Sequence, residues 1–492
     1  MRFSLSVAAT TGVFVLLACG GSDTAPKTST LSIGRDSTLL VDEVETLAAI
    51  SENGTQLSAS SLTWSSSAPN VASVDARGRV TALSMGQTSI AATSPSASAH
   101  VTITVAAQFA QISAGEYHTC GITGRREVYC WGTSFDGELG SAPLVLCEGA
   151  GYCSTRPALA TQMRFSSIVA GGKLTCGVDA SGAAYCWGNN VYGQLGDGTM
   201  TPNSSPQLVA GGHHFAQLIA GLFHVCGITT EQDAYCWGSD NAGQLGAGDV
   251  SEESCATFTV DPCSSSPRLV AGAHKWKRLA ANEETTCGVD TTGLAYCWGF
   301  ASGSTDTLPC AFSQGCVHTP IQVEGIGELQ DISMGVVDQC AQAGDGTIKC
   351  WGRNLWGSFG NGTNDSSATP VPAARGLAYA TFVMSEMGAC ALDSSGHAQC
   401  WGGDDSGEAG NGLYEAEQSS PGPLRGGYYY VTLSAGSNSE HVCGLAKTGR
   451  ALCWGNGGWG QLGNGSLGAS NAPQLVQLVP TPPPAGSIAT TR

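Results

Sequence analysis

Residues 175–196 read TCGVDASGAAYCWGNNVYGQLG, and this skeleton returns six more times between Phe109 and Val479. Its core is a pair of cysteines ten positions apart, the second followed at once by Trp-Gly. The pairs are Cys120/Cys130, Cys176/Cys186, Cys226/Cys236, Cys287/Cys297, Cys340/Cys350, Cys390/Cys400 and Cys443/Cys453, and all seven keep Cys-Trp-Gly.

Strand geometry turns that spacing into a hairpin. If Cys176 and Cys186 oppose each other on antiparallel strands, Asp179 faces Ala183 and the loop is Ala180, Ser181 and Gly182. Such a loop is a type I turn closed by a residue with positive φ, a place for glycine. Glycine stands there in five copies (Gly182, Gly293, Gly346, Gly396, Gly449), and Arg126 and Gln232 in the other two. Counting outward puts the cysteines at a non-hydrogen-bonded pair, with Cα atoms about 4.5 Å apart, which a disulfide can span. Tyr185 and Trp187 alternate to the opposite face.

Each copy also carries an upstream strand, an aromatic or large apolar residue leading to an apolar pair, as in residues 109–113, 165–169 and 276–280. A proline-led segment such as Pro206-Gln-Leu-Val209 adds an edge strand, where proline's missing N–H is tolerated. Four short strands in about fifty residues make a propeller blade. The array begins with the strand at Phe109 and ends with the proline-led Pro473-Gln-Leu-Val476. These two leftovers are expected to pair, completing blade one from both chain ends and removing the open edges.

The motifs Gly115-x-x-His-Thr-Cys120, Tyr185-Cys-Trp-Gly188 and Gly193-Gln-Leu-Gly196, the last repeated at 243–246 and 460–463, resemble the regulator of chromosome condensation repeat. That resemblance covers about three quarters of the chain and implies a seven-bladed β-propeller. Blade four departs from it by lacking Gly-Gln-Leu-Gly after Trp298, and blades five and six keep only Gly357-Ser-Phe-Gly360 and Gly407-Glu-Ala-Gly410. We therefore assign residues 107–480 to the propeller.

Ahead of it, residues 28–106 resemble the bacterial immunoglobulin-like group 2 domain. Segments such as His100-Val-Thr-Ile-Thr-Val105 alternate apolar with polar residues between turn signals, as half-buried strands do. Trp64 is the expected core residue of this β-sandwich. The fold class is accordingly all-β, a seven-bladed propeller behind an Ig-like sandwich. The proline-led tail, residues 481–492, lacks apolar periodicity and reads as disordered.

The chain start reads as an export signal. Arg2, the mostly apolar residues 5–17 and Leu16-Leu17-Ala18-Cys19 resemble a bacterial lipoprotein signal over residues 1–18, which implies a lipid on Cys19 and a tether over residues 19–27. Gly20 after that cysteine implies, by resemblance to enterobacterial sorting, the outer membrane or cell surface. Contact with the membrane is then through the lipid alone. Removing Cys19 from 21 cysteines leaves the seven blade pairs and three short-range pairs, Cys147/Cys153, Cys255/Cys263 and Cys310/Cys316, with none unpaired. Zinc is the rival reading, but zinc sites prefer cysteines two to four apart with four ligands converging.

A formal charge of -18 with scattered Lys and Arg argues against nucleic-acid binding. The Gly-x-Gly-x-x-Gly at residues 455–460 lies between Trp-Gly and Gly-Gln-Leu-Gly rather than between a strand and a helix, so it is no dinucleotide signal. No catalytic residue, cofactor or metal is assigned. His118, His224 and His441 share the position two before the first blade cysteine and are expected to bridge neighbouring strands. Asp404, Asp405 and Glu408 are read as a solvated acidic loop rather than a calcium site.

The inserts holding the short-range cysteine pairs all fall between the tryptophan loop and the next proline-led strand, hence on one side of the disk. Stapled loops lose less entropy on binding. The nearby loop aromatics Phe135, Tyr192, Trp356 and Trp459 are of the types that dominate interfaces, and packing between blades is their alternative role. The function expected is that of a lipid-anchored, non-enzymatic binding or adhesion protein engaging an envelope or extracellular protein or glycan. The alternatives are an enzyme inhibitor, as a secreted bacterial member of the same repeat family is, and a polysaccharide-active hydrolase or lyase.

Overall fold

The computed structural model describes residues 31–477 apart from 41–42, 84–85, 107, 143, 148–150, 249–252, 256–261 and 301–315. The signal segment, Cys19, the tether, Cys310 and the tail lie outside the described residues. Cys316 is disulfide-bonded.

Each Cys-Trp-Gly unit folds as a hairpin with its cysteines directly opposed across the two strands. The seven blade disulfides are Cys120–Cys130, Cys176–Cys186, Cys226–Cys236, Cys287–Cys297, Cys340–Cys350, Cys390–Cys400 and Cys443–Cys453, with Cα atoms 4.0 to 4.1 Å apart. The Asp179 N–H donates to the Ala183 carbonyl at 2.9 Å and the Gly182 N–H to the Asp179 carbonyl at 3.2 Å, with Gly182 at φ 89°. Arg126 and Gln232 adopt φ 64° and 69°. The turn is thus kept without its glycine, against the Cβ–carbonyl crowding that costs roughly 1–2 kcal/mol in this region.

Seven sheets result, and in each the strands follow chain order apart from short hairpin additions in blades one and three. Blade two runs Ser167–Ala170, Leu174–Val178, Ala184–Gly188 and Asn203–Leu208. Its proline-bearing strand pairs with the Cys-Trp-Gly strand that precedes it, Gln207 against Cys186. Blades three to six repeat this register, with Arg268 against Cys236, Ile321 against Cys297, Val371 against Cys350 and Gly422 against Cys400. The same pairing holds at the end of the array, where Gln474 of Ser470–Leu475 pairs with Cys453 in blade seven. Blade one has its own outer strand, Gly151–Leu159, which sets Ala158 against Cys130. The expected exchange of strands between chain ends is therefore wrong: every blade is one continuous stretch of chain, because each blade's outer strand pairs with the Cys-Trp-Gly strand of its own hairpin.

The first strands of successive blades touch around the axis, and blade seven meets blade one by packing. At this closing seam the Ala114 N–H donates to Ser434 Oγ at 2.9 Å and Trp131 Nε1 to the Gln461 carbonyl at 2.8 Å. The predicted alternation sets the packing. Cys176 and Cys186 lie against Trp237 of blade three, while Trp187 lies against Cys120 and Cys130 of blade one. Further round, Cys226 and Cys236 meet Trp298, Cys340 and Cys350 meet Trp401, and Cys390 and Cys400 meet Trp454. Each of these seams is thus a disulfide on one sheet meeting an indole on the next. Burying one tryptophan, at about 200 Å² and 25 cal/mol/Å², contributes up to about 5 kcal/mol.

The N-terminal region forms a four-stranded, a three-stranded and a two-stranded sheet around Val80, Ile90, Ile103 and Val105. Trp64 packs against that core but is only partly buried. No α-helix occurs among the described residues, and none of their helices is long and apolar enough to cross a membrane.

Candidate functional site

Four antiparallel strands place the loop between strands one and two on the same side as the tryptophan loop between strands three and four. Backbone bonds join the two: the Thr133 N–H donates to the Tyr117 carbonyl at 3.1 Å and the Asn189 N–H to the Lys173 carbonyl at 2.9 Å. One face of the disk therefore carries an inner ring of channel loops and an outer ring of tryptophan loops.

Beneath that face the seams consume the polar groups singled out from the sequence. Among the described residues, at six seams the indole N–H of one blade donates to a backbone carbonyl in the preceding blade's tryptophan loop, as Trp187 does to Glu138 at 3.0 Å. At three of these, a histidine and a threonine complete the link. His118 Nε2 lies 2.8 Å from Thr175 Oγ1, His224 Nε2 2.8 Å from Thr286 Oγ1, and His441 Nε2 2.7 Å from Thr119 Oγ1. Each threonine hydroxyl donates its one hydrogen to the carbonyl that the tryptophan uses, at 2.8 to 2.9 Å. The histidine must then donate from Nε2, which fixes a neutral tautomer. Burial agrees, pushing all three imidazoles down to about 3. These histidines join blades and carry no charge. At the seam between blades four and five, Cys297, Trp298, Phe300, Val317, Ile321 and Trp351 help line an apolar cleft of about 360 Å³.

The acidic group in blade six is not a solvated loop. Asp404 and Glu408 are buried and only Asp405 is exposed. Asp404 Oδ1 accepts the Ala409 N–H at 2.8 Å, the bond that Asn190 Oδ1 makes with Leu195 at 2.9 Å, and Glu408 Oε2 accepts the Ser406 N–H at 3.0 Å. Both residues hold the tryptophan loop in shape. No cluster of three or more metal-ligating side chains occurs among the described residues.

Of the four loop aromatics, the structure brings two together. Phe135, 47% exposed, meets Trp459 with ring centroids 5.7 Å apart, across the seam between blades one and seven. Tyr117 of the blade-one channel loop completes the group, 5.9 Å from Phe135 and 5.4 Å from Trp459. Lys173 Nζ stands 5.2 Å from the Phe135 ring centroid. Tyr192 instead pairs with Phe223 at 5.2 Å, and Trp356 stands apart at φ 59° beside Gly403, 38% exposed. Tyr117 escaped the sequence reading, and its only signal is its place next to the repeat histidine.

The blade-one insert stands beside this group as a hairpin of Val145–Cys147 on Gly151–Leu159, stapled by Cys147–Cys153. The disulfide packs on Trp459, while Leu146 and Tyr152, opposed across the strands, are 78% and 62% exposed. Blade three carries the equivalent Cys255–Cys263 staple. Glu116, Glu386 and Glu440 stand in the channel loops of blades one, six and seven. Burial first, then the Glu440 and Glu116 charges, push Glu386 up to about 7. Glu116 is likewise raised, by burial and by Glu283 and Glu440, with Lys173 opposing. The Tyr117 hydroxyl lies beside Glu116, and burial together with the three glutamates holds its proton in place.

Comparison with known proteins agrees with this architecture. Residues 35–105 match the Bacterial Ig-like domain (group 2), and residues 109–138, 165–194 and 181–228 match the Regulator of chromosome condensation (RCC1) repeat. The human E3 ubiquitin-protein ligase HERC2 is 27% identical over 266 residues, which is 53% of this chain but 5% of that protein. The rat probable E3 ubiquitin-protein ligase HERC4 is 31% identical over 105 residues, 21% of this chain and 9% of that one. The chain thus spans a small part of the curated relatives it matches. Among solved structures, Prp20p from Saccharomyces cerevisiae superposes with a TM-score of 0.60 at 21% identity, covering 74% of this chain and 88% of that one. Human WBSCR16 gives 0.58 at 19% identity, covering 71% and 89%. At these identities the likeness is one of fold.

Proposed function

The chain carries chromosome-condensation-regulator repeats behind a group 2 bacterial Ig-like domain, and we propose that it is an exported, lipid-anchored, non-enzymatic binding protein whose loop face engages another protein. In this reading the Ig-like domain is a spacer between the anchor at Cys19 and the propeller. The observation that carries it is the exposed apolar surface at the seam of blades one and seven, held in shape by a disulfide and by ring-on-ring contacts. A preordered aromatic surface is what a protein interface needs. The residues most apt for catalysis are occupied elsewhere, the buried histidines in seam bonds and the blade cysteines in disulfides. The disulfides also suit an oxidising compartment.

Prp20p is described by its binding to Gsp1p and histones. We carry over from it only the use of a propeller as a protein-binding surface. The ligase activity in the HERC2 name is not carried over, since the match covers 5% of that protein. A role as an enzyme inhibitor has one observation in its favour, the projecting Leu146 and Tyr152, which are of a size to enter a cleft. The test is capture of envelope or extracellular proteins by the intact mature chain, compared with the Leu146→Ser/Tyr152→Ser and Phe135→Ala variants. Capture falling about tenfold in both variants supports the reading. Undiminished capture, or turnover of a polysaccharide by the purified protein, sinks it.

A further inference from the structure

The loop face combines two surfaces that meet at one residue. Tyr117 contacts Phe135 and Trp459 through its ring, and its hydroxyl, beside Glu116, feels the charges of Glu386 and Glu440. The rings form a partly exposed apolar wall. The carboxylates, brought together from blades one, six and seven, oppose one another's ionisation, and Lys173 is the cation that acts on Glu116. Glu116 Oε2 is sealed from solvent without a hydrogen-bond donor. Beside Glu116, the glycine-rich channel loops around Gly115, Gly171, Gly221 and Gly436 enclose a pocket of about 10 Å³, room for no more than one water.

Deepening the binding-protein reading, on which it rests, we propose that this acidic group and its aromatic wall take a protein segment bearing arginine or lysine, its cation set among Glu116, Glu386 and Glu440 and its apolar neighbours on Tyr117, Phe135 and Trp459. Three observations select that occupant. A cation relieves the repulsion among the glutamates. Lys173 over Phe135 shows that one of these rings already accepts a positive charge on its face. The chain's formal charge of -18 steers basic partners toward it and repels acidic ones. Arginine suits the site best, because its planar fork can hold a carboxylate while its flat face stacks on a ring.

The experiment measures binding of the intact chain to a short labelled peptide of alternating arginine and leucine, against the same peptide with each arginine replaced by uncharged citrulline. The arginine peptide is expected to bind at least about tenfold tighter, and the Glu386→Gln/Glu440→Gln variant to remove most of that difference. Phe135→Ala weakens both peptides about tenfold. Glu231→Gln, in a hairpin turn on the opposite side of the disk, leaves both unchanged. Binding of the arginine peptide also strengthens between about pH 5.5 and pH 8, as Glu386 loses its proton near 7. Equal affinity for the two peptides, no measurable binding of either, or an equal loss in Glu231→Gln overturns the inference. If the peptides fail while capture of a protein partner still falls in Phe135→Ala, the partner class is wrong and the binding-protein reading stands.

Discussion

Glu408→Gln is expected to gain stability relative to wild type as the pH rises from acid to neutral and alkaline. In blades two, three and seven this position is glutamine, whose Oε1 accepts the N–H two residues earlier at 2.8 to 2.9 Å. The Gln194 and Gln244 amides also donate, to Asn189 and Asn241 at 2.7 and 2.8 Å. Glu408 keeps the acceptor bond, but Gly403 stands where blade two has Asn189, and Glu408 Oε1 is buried without a partner. Burial, with Asp404 and Glu440 adding like charge, pushes the carboxyl up to about 8 from an ordinary 4.5. A carboxyl raised on folding costs nothing below its unfolded pKa. The penalty then grows by about 1.4 kcal/mol per pH unit until the folded pKa is passed, reaching about 3 kcal/mol at pH 7.

Glutamine removes that titration. Its Nε2 also finds no acceptor at Gly403, but a cost of that kind is independent of pH, so the diagnostic is the slope and not the absolute midpoint. Thermal unfolding of wild type and variant at about pH 4.5 and pH 8 should show the variant gaining on the order of 5 °C relative to wild type between the two conditions, for about 3 kcal/mol in a chain of this size. Parallel curves, with the same pH dependence to within a degree or so, would refute the reasoning and place the ionised carboxylate in contact with water.

Three further outcomes test the seams and turns. Thr175→Val leaves the His118 Nε2–H without an acceptor and removes the bond to Glu138, so a loss of about 1–3 kcal/mol is expected in denaturant unfolding, with Thr175→Ser much milder. Gly463→Ala puts a Cβ 2.6 Å from Trp131 Nε1 at a residue with φ 65°, so it should weaken the closing seam and speed proteolysis between blades seven and one without changing the blade disulfides. Gln232→Gly relieves a positive φ, and a gain of roughly 0.5–1 kcal/mol in unfolding free energy is expected after glycine's larger entropy loss is set against it.

Much of this fold is written locally. The ten-residue cysteine spacing, the three-residue turn and the alternation of strand side chains determine the hairpin, the disulfide register and the opposite facing of Cys186 and Trp187, because each involves atoms a few residues apart. The turn survives at Arg126 and Gln232 because strand pairing on both sides fixes it. The grouping of strands into blades is different. A periodic sequence defines its unit only up to a shift along the chain, and Pro473-Gln-Leu-Val476 could as well have completed blade one as blade seven. The hydrogen bonds after Trp454 decide it, and the ring then closes through Trp131, Thr119 and His441 rather than through a shared sheet.

The candidate site divides the same way. Phe135 and Trp459 were visible as loop aromatics, and blade position placed them on one side of the disk. Their meeting with each other and with Tyr117 could not be read from the chain, since they lie at opposite ends of the array and touch only because the ring closes. Glu116, Glu386 and Glu440 are single acidic residues in unremarkable loops until the shared axis gathers them. Burial of Asp404 and Glu408 was likewise hidden, because charged residues in a glycine-rich loop read as solvated and only the packing of that loop beneath the next blade takes them from water. By itself the sequence determined the repeating unit and its cross-links, through short-range geometry. Tertiary structure alone decided the phase of the blades and the composition of the loop face, because both depend on which distant segments the closed ring brings into contact.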